Sequence, residues 1–410
     1  MSNPSENRSY WGVVLLAAAV LMVTMGSRQS QGLFMSPLNT STGVGIVNIS
    51  LAMAIGQFVW GAVQPIAGAV ADRYGPGRVL AVGIILLALG SAITPFMTSP
   101  LGLIFSLGIL IAAGSGAGSF SVLIGSAARH MPAEKRGMAA GIINAGGSFG
   151  QFVFAPITQL LIAGLGWMGA LWSIAAITIA ALPLTRSLRG RPATAAEHAR
   201  SIAANPEDKG MRAALRDALK DRSYLLLHAG FFTCGFHIAF LVTHLPGEVQ
   251  LCGQSAQVAS WSLAIIGLAN IVGSLAAGWG TQKYRSKYIL FWMYCSRTAL
   301  ILAYLAAPKT ALTFYLFAAG LGVTWLSTVA PTAAIVGKLF GTRYLATLFG
   351  LTLLSHQIGA FLGAWLGGIT VVSLGNYNLM WYLDAGLAAF AALINLPIRE
   401  APIAPRLQPA

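Results

Sequence analysis

The chain has 410 residues, of which 56% are hydrophobic and only 9% charged, against about a quarter charged in ordinary soluble domains. That composition excludes a soluble globular enzyme and indicates a protein that lives in a bilayer. The net charge of +14 suggests nucleic acid at first sight, but the basic residues fall beside apolar runs, where they record membrane topology, so no nucleic-acid partner is expected.

Apolar runs of about 20 residues, the length of a membrane span, lie near 11–35, 46–71, 78–98, 101–128, 137–164 and 168–186, and again near 223–245, 256–281, 287–307, 311–337, 345–371 and 377–397. The first run exceeds the apolar core of about 7–15 residues in a signal peptide, and it reads as a retained span. The fold class expected is therefore an all-α membrane protein with twelve transmembrane helices in two six-helix pseudo-symmetric bundles. The N-terminal bundle takes residues 1–186, the C-terminal bundle 223–410. Between them a polar cytoplasmic linker, 187–222, includes a stretch from Lys209 to Arg222 able to form a surface helix. With both termini cytoplasmic, all but Arg28, Arg297 and Lys309 of the 25 Lys and Arg fall on the cytoplasmic side, as the positive-inside rule requires. The expected location is a bacterial-type inner membrane, with the chain acting as a monomer. Cys234, Cys252 and Cys295 have neither CxxC spacing nor disulfide-framework density. They read as packing residues, and no metal or cofactor is expected.

The two halves repeat each other. "GAVADRYGPGR" after the second span aligns with "GWGTQKYRSKY" after the eighth, setting Gly68 on Gly278 and Arg73 on Lys283, and "AAGSG" (Ala112 to Gly116) aligns with "AAGLG" (Ala318 to Gly322). Six-helix repeats in one orientation are an architecture of secondary transporters, with the substrate site near the midplane between halves.

"GAVADRYGPGR" resembles the signature loop of the major facilitator superfamily, with Gly68, Asp72, Arg73, Gly75 and Arg78 in register. The resemblance implies a cytoplasmic gate in which Asp72, Arg73 and Arg78 pair with neighbouring helix ends. Arg136 and Arg343, each just before an odd-numbered span, are the partners to expect for a carboxylate there. Within the superfamily, Arg28 ahead of Leu33 and Phe34 is similar to the first-span lysine of monocarboxylate transporters. His356, six residues after Gly350, stands where bacterial oxalate/formate antiporters have a substrate-binding lysine. One feature departs from both groups: an arginine four residues after an Asn or Asp in the eighth span is replaced here, since Ser274 follows Asn270 at that spacing.

Arg28 sits in an apolar run with no other charge before Asp72, and a charge at membrane depth usually faces a water-filled cavity or a partner. By helical angle Thr24, Arg28 and Gln31 share a face, and Asn144, Ser148 and Gln151, Gln57 and Gln64, and Ser115 and Ser119 form similar polar stripes. The candidate substrate ligands are thus Arg28, Gln31, Asn144, Ser148, His237, Asn270, Trp325 and His356. His356 and His237 are also candidate proton carriers, since a histidine titrates near neutrality. His228 points away from the face of His237 and His244. Arg297 and Asp384, in spans peripheral within the superfamily, read as structural, and the series Gly359, Gly363 and Gly367 reads as close helix packing. Apart from Asp384, no span as delimited above contains an acid.

The function expected is secondary transport of a small, monocarboxylate-like organic anion by alternating access, with protons as a candidate co-substrate. The alternative is export of a drug, siderophore or other amphipathic metabolite, which the scarcity of buried acids disfavours. No acid pair or H-E-x-x-H motif indicates an enzyme.

Overall fold

The computed structural model describes residues 4–128, 136–188, 211–341 and 345–400. Among the described residues there are helices and no strands. Ten segments are long and apolar enough to cross a membrane. One of them, Met138–Ser187, contains 50 residues and turns at Gly166 (φ 70°, ψ 170°), so it is two spans. Asn378–Asn395, an 18-residue helix that carries Asp384, completes the twelve.

The first span is Pro4–Gln29, continued by a turn at Gln31–Phe34 and by Met35–Thr42. The second and third are Ile46–Tyr74 and Pro76–Ile93. The fourth runs through Pro100–Leu103, a π-helical stretch Ile104–Ile111, Ala112–Ala117 and Phe120–Ala128, and the fifth and sixth share Arg136–Ala180. In the second half come Arg222–Leu251, Ala256–Lys283, Ser286–Ala306, a divided tenth span (Ala311–Thr324 and Val329–Phe340), Leu345–Leu374 and Asn378–Asn395. The short helix Met211–Ala218 falls inside the stretch expected to form a surface helix.

The second and third spans meet at Gly75, with φ 90° and ψ 140°, a conformation that a side chain would strain. Its N–H reaches the carbonyl of Ala71 at 2.9 Å, ending one helix, and Pro76 opens the next, where a missing N–H costs nothing. The end of the molecule carrying this turn is called the signature end below.

Each bundle packs its own core, with Leu21, Leu80 and Leu123 in the first and Phe231, Phe314, Leu321 and Trp381 in the second. Leu33 and Ala155 cross over to join the second core. Ala54, Ala239, Ala360 and Ala364 form a small-residue seam between the second, seventh and eleventh spans. Where hydrocarbon surrounds the helices, small residues let backbones approach closely. A Cβ on Gly359 would strike the carbonyl of Phe232, and one on Gly363 the carbonyl of Phe236, so that series holds the eleventh span against the seventh.

The seventh span runs to Leu251, two turns beyond the 245 expected, because Pro246 is accommodated inside the helix. This corrects the reading that Asp384 is the only acid in a span. Glu248 is in the helix and 6% exposed, bonded by the Tyr304 hydroxyl at 2.5 Å. Lys309 lies over the Tyr304 ring, 3.9 Å from its centroid, where partial burial lowers its amine below the usual lysine value while Glu248 opposes the shift.

Candidate functional site

Arg28 lies on the last turn of the first long helix and is 8% exposed. Its guanidinium donates to Gln57 Oε1 and sits 4.2 Å from the centroid of the Trp60 ring, both on the second span. A cation over an indole face gains roughly 0.5–2 kcal/mol, less than the several kcal/mol that burying an unpaired charge costs. No carboxylate among the described residues pairs with it. The cation is thus held by a neutral amide and a π face, with guanidinium donors in excess of its protein acceptors.

The stripe Thr24, Arg28, Gln31 does not line one surface. Thr24 donates to the carbonyl of Gly118 at 3.0 Å, inside the first bundle. The helix stops at Gln29, and the turn that follows carries Gln31 toward a small cavity lined with Ser27, Phe34, Leu38 and Ser91. The helix break thus separates Gln31 from Arg28.

Asn270 and Ser148 do meet, across the two bundles. Asn270 Nδ2 donates to Ser148 Oγ at 2.8 Å, while its Oδ1 accepts from the Leu326 N–H at 2.9 Å and from Ser274 Oγ at 3.2 Å. Ser274, where the resemblance leads one to expect an arginine, therefore completes a neutral network that ties the eighth span to the fifth and to the break in the tenth. Asn144 is half-buried on the fifth span, and its carbonyl accepts a long bond from Ser148 Oγ.

His356 lies at the seam between the eleventh and seventh spans, its ring 4.9 Å from that of Phe231 and its carbonyl against Gly235. The adjacent Gln357 packs on Gly61 of the second span, next to Trp60. His356 and Arg28 thus lie on either side of one contact between the bundles.

His237 is 2% exposed, and its Nδ1 lies 2.5 Å from Asp384 Oδ2 of the twelfth span. Its ring is edge-on to Trp325, at 6.0 Å between centroids. Trp325 is fully buried at the break in the tenth span. Arg297, 1% exposed, donates to the carbonyl of Thr324, to that of Trp325 at 2.7 Å, and to Cys234 Sγ at 3.3 Å. A guanidinium on the carbonyl end of a helix meets both the free acceptors and the negative end of the dipole. Arg297 is therefore the cap of Ala311–Thr324, which agrees with its structural reading. Asp384, read as structural, is the partner of His237.

His244 is saturated: its Nε2 lies 2.6 Å from the Ala364 carbonyl and its Nδ1 3.2 Å from the Tyr377 hydroxyl. His228 pairs with Ser355 at 2.6 Å in a groove beside Phe232, Ile358 and Phe390, away from His237. Of the gate candidates, Arg73 and Arg78 are exposed, with Arg73 over Tyr74. The side chains of Asp72 and Arg136, and all of Arg343, lie outside the described residues.

Trp60, Gln357 and Glu248 are the polar or aromatic residues near these networks that the sequence reading missed. Trp60 had a signal, since it follows Gln57 by one turn and so shares its face. Glu248 was masked by Pro246.

Residues 17–364 match the profile of the Major Facilitator Superfamily. The chain is 27% identical over 404 residues to monocarboxylate transporter 13 of Bos taurus, covering 97% of this chain and 91% of that one. It is 24% identical over 405 residues to the oxalate:formate antiporter of Oxalobacter formigenes, covering 94% and 92%. The fold is similar to the crystal structure of a D-xylose-proton symporter, with a TM-score of 0.72 and 14% identity over 95% of this chain and 98% of the other.

Proposed function

Since the chain belongs to the major facilitator superfamily, whose members here are transporters and not enzymes, we propose that it moves a small organic anion, monocarboxylate-like, by alternating access between its two bundles, with Arg28 as the anion's ligand. The observation that carries this reading is the buried guanidinium held by Gln57 and Trp60 with no carboxylate among the described residues against it. A visiting anion supplies the missing charge and can displace the amide, forming charge-assisted bonds about twice as strong as neutral ones. Named relatives that transport monocarboxylates or exchange oxalate for formate support the substrate class. Coupling to protons runs through a histidine of the second bundle, His237 or His356. The protein works as a monomer in a bacterial-type plasma membrane, with its termini and the signature end cytoplasmic and Asp72, Arg73, Arg78, Arg136 and Arg343 forming the gate there.

The test is uptake of labelled formate, lactate, pyruvate and oxalate into proteoliposomes, with and without an inward proton gradient. Uptake of at least one acid is expected, and Arg28→Gln should lower it by about 100-fold or more, in line with the roughly 3 kcal/mol that losing one partner of a buried charge contact costs, with the melting temperature retained. Wild-type uptake in that variant would remove Arg28 from the mechanism. Export of a larger amphipathic compound gains one point from buried Glu248, an acid of the kind that marks proton relays in membranes. Thermal stabilisation by hydrophobic cations but by none of the four acids would favour that second reading.

A further inference from the structure

His237 and His244 lie on the same helix, two turns apart, and differ in one respect. Both ring nitrogens of His244 have partners. In His237 only Nδ1 does, at 2.5 Å from Asp384, while Nε2 is buried with no hydrogen-bond partner among the described residues. His228 Nε2 is likewise without a partner among the described residues, but its Nδ1 meets a serine hydroxyl, and only His237 sets a carboxylate opposite the free nitrogen. Burying such an orphan costs about 1–3 kcal/mol.

We infer that the His237–Asp384 pair is a proton-binding site, loaded and emptied at Nε2 as the bundles change conformation. This deepens the transport reading and rests on it for the first arm of the test below. With Asp384 ionised, Nδ1–H donates to Oδ2 and Nε2 holds a lone pair. The added proton goes onto that lone pair, and the pair becomes imidazolium and carboxylate. In the conformation seen here, the new Nε2–H would meet no acceptor among the described residues, so this conformation disfavours the loaded state. A conformation that gives Nε2 water or an acceptor favours it. A ligand that binds one conformation better shifts the balance between them, and here the ligand is the proton.

The surroundings fit this role. Arg297 of the ninth span donates to Cys234, one turn before His237 on the same helix, and the Thr298 hydroxyl beside it reaches the carbonyl of Ala385, next to Asp384. Tyr294 of the ninth span donates to the Gly230 carbonyl, and His356 of the eleventh lies against Gly235. The tenth span brings Trp325, which does not titrate, against the ring of His237, and among the described residues no hydrogen bond or ion pair joins the pair to a titratable group of the first, second or eighth span. Arg297 supplies a fixed positive charge on the side of Asp384. His237 stands two residues from Gly235, against which the carbonyl of His356 packs, and the adjacent Gln357 packs on Gly61, next to the Trp60 that backs Arg28. Loading the pair and seating an anion thus act on the same seam between the bundles.

Two measurements test the assignment. In proteoliposomes, a carrier moving one proton per acid accumulates it about tenfold per pH unit of gradient. His237→Gln and Asp384→Asn should each abolish accumulation of labelled lactate or oxalate, and Asp384→Asn should keep exchange of that acid within about threefold, because exchange needs no net proton movement. Accumulation by Asp384→Asn equal to wild type would overturn the proposal. The second measurement is independent of any substrate. In nanodiscs of the 15N-histidine-labelled protein, the His237 ring signals, identified by their loss in His237→Gln, should titrate between about pH 4 and 9. Their midpoint should fall by about one unit or more in Asp384→Asn, since a neighbouring carboxylate favours the charged ring. A ring that does not titrate, or a midpoint unmoved in Asp384→Asn, refutes the pair as a proton site. Failure of every acid to move in the wild type, with the ring titrating as stated, would count against the substrate reading and leave the proton site supported.

Discussion

The fourth and tenth spans break at corresponding places and are mended differently. Each break comes just past an aligned motif, "AAGSG" in one and "AAGLG" in the other, with helices ending at Ala117 and Thr324. At the first break, Thr24 gives one hydroxyl bond to the Gly118 carbonyl. The register that pairs Gly68 with Gly278 pairs Thr24 with Cys234, and Cys234 Sγ does lie 4.0 Å from the Trp325 carbonyl and 3.2 Å from Thr328 Oγ1. There the likeness stops. The second break also receives the whole guanidinium of Arg297 and lies beside His237 and Asp384. The backbone architecture is thus repeated while the chemistry is divided, with the buried cation on Gln57 and Trp60 in the first bundle and the His–Asp pair in the second.

Removing the charged cap should separate the two breaks most. Arg297→Gln leaves the Thr324 and Trp325 carbonyls short of donors and Asp384 without its nearby cation, so a loss of about 3–5 kcal/mol is expected. It would be read as a large drop in melting temperature in a fixed detergent. A drop no greater than that of Thr24→Val would show the two breaks to be energetically alike.

The glycine seams should instead respond equally. In the first bundle a Cβ on Gly146 would meet Ala18, and one on Gly150 the carbonyl of Met22; in the second, Gly359 and Gly363 stand in the same relation to Phe232 and Phe236. Gly150→Ala and Gly363→Ala should therefore each cost about 1–3 kcal/mol through overpacking. Unequal thermal shifts would mean that one seam yields where the other does not. Thr24→Val, which removes a single neutral hydrogen bond, should cost the least, about 1 kcal/mol, measured in the same melting series.

Much of the scaffold was legible because a bilayer leaves the chain few options. Each span must satisfy its own backbone and be apolar over about 20 residues, so helix number, the repeat and the signature turn at Gly75 follow from local pattern. Helical angle was less reliable for the site. It grouped Thr24, Arg28 and Gln31, but the turn at Gln31–Phe34 rotates Gln31 away, and a break of this kind has no periodic signal. Asn270 and Ser148 were singled out as ligands, and they bond to each other across the bundles. A polar residue in a span announces that it needs a partner, without saying whether the partner is a substrate or another helix.

The sequence by itself determined that the chain spans a membrane as a twelve-helix transporter, and that Arg28 is a cation in an apolar run. Only the tertiary structure decided what accompanies each charge: Gln57 and Trp60 at Arg28, a broken helix end at Arg297, Asp384 at His237. Hydropathy is a sum along the chain and survives any packing of the helices. The state of a buried charge depends on the few atoms within hydrogen-bond reach, and in each of these cases those atoms come from a different span.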